Sequence, residues 1–182
     1  MRTFFLFPLL AVASQVFASS YDETVRSGDL SFHVVASDSE QGSKVTVTPS
    51  GLKNSNDPQS VQGDGSLTET ILEDLNGDNI PELFLVFTGE GSGSYGQVKA
   101  FSTNGGKVLT DIVIDEPKAA DMQGYMGHDE FEVVEGTFVR RFPVYKPGDT
   151  NAKPTGGWRQ IQYKLKSGEA AWHLRIDRVA SF

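Results

Sequence analysis

The feature that most constrains this chain is a period-two alternation of apolar and polar residues, clearest near the C-terminus. In WRQIQYKLK, Ile161, Tyr163 and Leu165 alternate with polar residues; after Ser-Gly-Glu, the run AAWHLRIDR does the same with Trp172, Leu174 and Ile176. Successive side chains of a strand point to opposite faces of its sheet, so this pattern makes a strand with one buried face and suits no amphipathic helix. The two runs are expected to form a hairpin.

Similar runs, bounded by Gly, Asn, Asp and Pro clusters, predict strands at residues 30–36, 44–48, 67–75 and 82–88. The last, ELFLVFT, is apolar enough to be central. Residues 95–102 and 107–114 flank Thr103-Asn104-Gly105-Gly106, and residues 129–134 and 137–145 flank Glu135-Gly136. Asn and Gly tolerate positive φ, so both pairs read as hairpins. Only residues 116–123 look helical. The Ser/Asn/Asp/Gly-rich segment 51–65 and segment 146–157 (KPGDTNAKPTGG) are expected surface loops. The fold class is therefore all-β: an antiparallel two-sheet β-sandwich, or alternatively a flattened β-barrel, with at most one short helix.

The chain starts MRTFFLFPLLAVASQVFASS: one basic residue, an apolar run over residues 4–12, then small residues up to Ala18. This is the layout of a cleavable signal peptide, 1–18, and the apolar run is too short for a membrane span. Export to the periplasm follows, with 19–182 as a single domain. There are 16 Lys+Arg against 24 Asp+Glu, a net charge of −8, which becomes −9 when Arg2 leaves with the leader. Such a surface disfavours nucleic acid and anionic membranes and favours a basic partner. The chain has no cysteine, which excludes disulfides, thiol catalysis and thiolate metal sites.

Four glycines surround two serines and a tyrosine in residues 89–97, GEGSGSYGQ. Gly91, Gly93 and Gly96 formally fit GxGxxG after a strand, but a dinucleotide site needs a following helix, and QVKAFS is strand-like. The serines also miss the GxSxG nucleophile pattern. A glycine-rich loop is commonly a plain connection. Here Tyr95 stands among residues that offer it no packing, and four glycines let the backbone approach another surface closely. Such a loop suits insertion into a cleft.

Asp74, Asn76, Asp78 and Glu82 place oxygen atoms as a calcium turn would, without the Gly and Glu positions of an EF-hand. An ordinary Asn-Gly turn between strands fits equally well. His33, His128 and His173 form no paired spacing for zinc. Asp129 and Glu130 could act as glycosidase carboxylates only if they converged, and Arg140 and Arg141 read as a solvated strand face. No catalytic constellation stands out; no cofactor is expected, and the chain reads as a non-enzyme.

Ser92-Gly93-Ser94-Tyr95 matches the SGxY element of bacterial periplasmic lysozyme inhibitors. With its flanks, DLNGDNIPELFLVFTGEGSGSYGQVKAF and VYKPGDTNAKPTGGWRQIQYKL, it resembles the inhibitors of invertebrate-type (i-type) lysozyme. YxxxTKG, the second motif of chicken-type lysozyme inhibitors, is not found. The resemblance implies a β-sandwich that forms a homodimer and plugs the lysozyme active-site cleft with this loop. A retaining glycosidase holds its two carboxyl groups roughly 5–5.5 Å apart. The hydroxyls of Ser92 and Tyr95 could bond to that pair, with Gly91, Gly93 and Gly96 bare so that no Cβ jams the cleft. The alternative is a calcium-dependent or glycan-binding periplasmic module built on the Asp74 to Glu82 turn.

Overall fold

The computed structural model describes residues 21–182; the expected signal peptide lies outside them. Twelve strands and no helix occur among the described residues. β1 (Tyr21–Ser27), β2 (Leu30–Ser39), β3 (Gly42–Ser50) and β4 (Gln59–Gly63) form one antiparallel sheet in chain order. The second sheet contains β5 (Ser66–Glu73), β6 (Glu82–Thr88), β7 (Gly96–Ser102), β8 (Thr110–Ile114), β9 (Glu130–Val134), β10 (Thr137–Pro143), β11 (Trp158–Ser167) and β12 (Trp172–Ser181). Its order, β5-β6-β7-β8-β12-β11-β10-β9, sets two antiparallel four-stranded meanders edge to edge. They join through β8 and β12, which run parallel, with Trp172 opposite Ile112 and Leu174 opposite Ile114. Alternation dictates which residues face the core but not the direction of a neighbour sixty residues away, so this seam was not expected.

Strand β6 explains the architecture. Leu83, Leu85 and Phe87 enter a core shared with Phe32 and Val34 of β2 and with Val45 and Val47 of β3. Phe84 points the other way, into a second core with Phe138 and Phe142 of β10 and Tyr163 of β11. A strand buried on both faces must be apolar throughout, which is why ELFLVFT does not alternate. The rings of Phe84 and Phe138 stack at 4.9 Å although β6 and β10 lie near opposite edges of their sheet. The eight-stranded sheet is therefore curled almost into a barrel, with the four-stranded sheet packed outside it. Truncating either ring to alanine would cost about 3–5 kcal/mol. Both expected forms, sandwich and flattened barrel, describe part of one all-β molecule.

Three local expectations change. Segment 51–65, expected as loop, contains β4, whose Gln59, Ser60 and Gln62 are polar because it is a sheet edge. β1 was not anticipated, since YDETVRS lacks alternation. Segment 116–123 is a pair of turns rather than a helix: Asp121 N–H donates to Lys118 O at 2.9 Å and Tyr125 N–H to Met122 O at 3.0 Å. Pro117 and Gly124, at φ 77°, bound a stretch too short to nucleate a helix.

Candidate functional site: the loop between β6 and β7

The glycine-rich loop extends the β6–β7 hairpin beyond its last pair, Thr88 opposite Gly96. Gly89 N–H closes its base by donating to Tyr95 O at 2.9 Å, and Ser94 N–H tightens its tip by donating to Gly91 O at 2.9 Å. Ser94 takes φ 42°, the left-handed conformation this tip requires. Ser92 is exposed, and Tyr95 keeps 52% of its surface in solvent.

Residues far along the chain hold this loop from behind. Gly96 N–H donates to Asp129 Oδ2 at 2.7 Å, and His128 N–H donates to Gly93 O at 2.6 Å. The Asn151 amide donates to both Ser92 O and Ser92 Oγ, each at 3.1 Å. Tyr95 does have something to pack on: its ring meets Tyr125 edge-on, with centroids 5.5 Å apart. That contact leaves one side of the tyrosine fixed and the other free.

Asp129 anchors the arrangement. Its side chain is fully buried, accepts hydrogen bonds from the Tyr125 hydroxyl and Gly96 N–H, and pairs with Arg140 Nε at 2.7 Å. Arg140 was expected on a solvated face; instead its guanidinium lies over Tyr125 at 5.1 Å and Phe142 at 5.6 Å. Arg141, one residue on, points to the other face and pairs with Glu132. Burial opposes the charge on Arg140, but Asp129, with Tyr125 and Tyr163 nearby, more than offsets it and holds its pKa above the ordinary value. Burial, then the bond to Asp129, raises the Tyr125 pKa; burial pushes Tyr163 up to about 12. Arg140, Tyr125 and Tyr163 therefore each keep one protonation state near neutral pH. Asp129 and Glu130 do not converge as a glycosidase pair, because Asp129 is buried in this network and Glu130 is exposed.

The glycines divide into two kinds. A Cβ on Gly93 would lie 2.5 Å from Tyr95 Cε2 and 2.9 Å from Met126 O, and one on Gly96 would lie 2.5 Å from Phe131 Cε2. These two are bare because their own fold crowds them. A Cβ on Gly91 would meet nothing within 4 Å. Of the three, Gly91 alone has a bareness that the intramolecular packing leaves unexplained. Beside the loop, the curled sheet opens into a cavity of about 420 Å³ walled by Tyr95, Tyr125, Phe131, Arg140 and Tyr163.

The Asp74 to Glu82 turn at the other end of β6 uses its oxygen atoms on itself. Asp74 accepts from the backbone of Gly77 at 2.8 Å and Asn79 at 2.7 Å; Asn76 accepts from Asp78 N–H at 2.8 Å and Asp78 from Ile80 N–H at 2.9 Å. Glu82 is fully buried and accepts from Leu75 N–H and the Asn76 amide at 3.0 and 2.9 Å. Burial raises its pKa to about 7. Among the described residues, no group of three or more His, Asp or Glu side chains could hold a metal ion. His33 pairs with Asp22, and His128 stacks on Tyr145, far from one another in role.

Sequence reading thus found the loop but not Tyr125, His128, Asp129 and Asn151, which position it. The one pointer was that Asn151 lies in the second segment carrying the family resemblance. A family model described as periplasmic lysozyme inhibitor of I-type lysozyme matches residues 32–123, which run from β2 through the loop to the turns before Tyr125. No curated protein and no solved structure gives a match. With half the chain covered, including both strands that carry the loop, this protein belongs to the family of periplasmic inhibitors of I-type lysozyme.

Proposed function

We propose that the chain inhibits i-type lysozyme by seating residues 89–97 in the enzyme's active-site cleft, with Ser92 and Tyr95 bonding to the catalytic carboxyl groups. The observation that carries this reading is the bracing of the loop: Asp129, His128 and Asn151 take up its inward backbone groups while Ser92 and Tyr95 stay exposed. A loop ordered before contact loses little conformational entropy on binding, and this is what a tight plug requires. Gly91, with open space around its Cα, lets the tip approach a cleft wall closely. The excess of acidic residues steers the encounter toward a basic enzyme.

In this account the signal peptide, 1–18, is removed on export to the periplasm, 19–182 acts as one domain, and the inhibitor works as a homodimer, without cofactor and without catalysis of its own. Lysis of peptidoglycan by i-type, chicken-type and goose-type lysozymes, each titrated with the protein from Ser19 onward, tests the target. Stoichiometric loss of i-type activity is expected. Ser92→Ala and Tyr95→Ala should each weaken inhibition by about 2 kcal/mol, some 30-fold, without unfolding the protein. A folded double variant that inhibits like wild type would overturn the reading.

A further inference from the structure

The contact between Asn151 and Ser92 fixes more than the position of the loop. The side-chain amide of Asn151 faces two oxygens of Ser92, the carbonyl O and Oγ, each at 3.1 Å. A carbonyl oxygen can only accept, so the NH2 end of the amide must be the end that faces the loop. Two N–H groups then meet two acceptors. The amide oxygen, on the far side, is buried and bonds to no protein group among the described residues, consistent with an orientation imposed from the Ser92 side. A hydroxyl that accepts from an N–H must direct its own proton elsewhere, and Ser92, at an exposed tip, has solvent on its remaining side.

We propose that Asn151 is a positioning residue that sets the polarity of the Ser92 hydroxyl, so that the loop presents a hydrogen-bond donor to whatever enters contact with it. The group that complements such a donor best is a carboxylate, because the resulting bond is charge-assisted. A carbonyl or an ether oxygen is a weaker complement, and a donor is repelled. This inference rests on the cleft-insertion reading and adds what that reading leaves open: which residue of the fold holds the Ser92 hydroxyl as a donor toward that carboxyl group. The residue responsible lies 59 positions away on a different loop.

Asn151→Ala, Asn151→Asp and Ser92→Ala, alone and combined, separate these ideas in an inhibition titration against i-type lysozyme. In Asn151→Asp the new carboxylate accepts the Ser92 proton and turns the hydroxyl into an acceptor. The expected loss is about tenfold or more, the scale of a hydrogen bond to a charged group, and larger than for Asn151→Ala, where the hydroxyl merely rotates freely. In the Ser92→Ala background, both losses should shrink to the part that comes from the bond to the Ser92 carbonyl, which that substitution leaves in place. A loss from Asn151→Asp that persists undiminished in that background would overturn the assignment, since Asn151 would then act through the backbone or through charge. Wild-type inhibition by Asn151→Asp, with Ser92→Ala impaired, would overturn it equally. If instead Ser92→Ala and Tyr95→Ala both inhibit like wild type, it is the cleft-insertion reading that fails, and the assignment falls with it. Melting temperatures of all variants keep misfolding apart from these outcomes.

Discussion

Strand β6 carries a polar turn at one end and a glycine-rich loop at the other, and different parts of the chain hold the two. The Asp74 to Glu82 turn is self-sufficient: its Asp and Asn side chains accept from its own backbone N–H groups within five residues. The 89–97 loop has few side chains to spend. Gly96, Gly93 and Ser92 are instead held by Asp129, His128 and Asn151, and the first and last of these contacts span 33 and 59 residues. A turn that satisfies its own backbone N–H groups needs no support from distant parts of the chain. A loop satisfied from behind keeps its outward groups free while remaining ordered, which is the condition for binding by a preformed surface.

The comparison breaks most visibly at Asp129. Asp129→Ala strands Arg140 as an unpaired charge among aromatic rings, and urea unfolding should show a loss of about 3–5 kcal/mol. Inhibition should fall by more than that loss of folded protein explains, because Gly96 is released as well.

At the polar turn the largest effect is a pH dependence. Glu82 has its pKa raised by burial from 4.5 to about 7, so the folded protein holds this proton more tightly than the unfolded chain does. The associated stability is fully present below about 4.5 and is lost as pH rises through 7, at most about 3 kcal/mol in all. Thermal unfolding from pH 4.5 to 8 should show this fall, and Glu82→Gln should flatten it while leaving inhibition unchanged.

Gly93→Ala forces a Cβ against Tyr95 and the Met126 carbonyl and should cost about 2 kcal/mol of stability, the scale of local overpacking. Asp74→Ala removes acceptors from a solvated turn and should cost about 1 kcal/mol, again without altering inhibition. Gly91→Ala should leave Tm where it is, since its Cβ meets nothing, yet weaken inhibition in the lysis assay. Equal inhibition by Gly91→Ala and wild type would show that the tip makes no close approach.

What the sequence disclosed follows the same division. Strand alternation and Asx-type turns are local, so ten of the twelve strands and the polar turn could be read from neighbouring residues. β4 was hidden because an edge strand needs no apolar face, and the parallel β8–β12 seam because pairing direction is set by tertiary packing. The SGxY element was legible as a motif. Its support was not: Arg140 and Arg141 look alike in sequence, and only the curl of the second sheet buries one beside Asp129 and leaves the other half-exposed with Glu132. Tyr95 looked unsupported because Tyr125, its packing partner, sits thirty residues on.

The most direct test of the account is the affinity of the wild-type inhibitor for i-type lysozyme, measured with and without a saturating short β-1,4-linked N-acetylglucosamine oligomer in the enzyme's cleft. If the loop occupies the sugar's place, the apparent Kd should rise in proportion to oligomer concentration. An affinity that does not change when the cleft is full would contradict insertion and place the contact elsewhere on the enzyme.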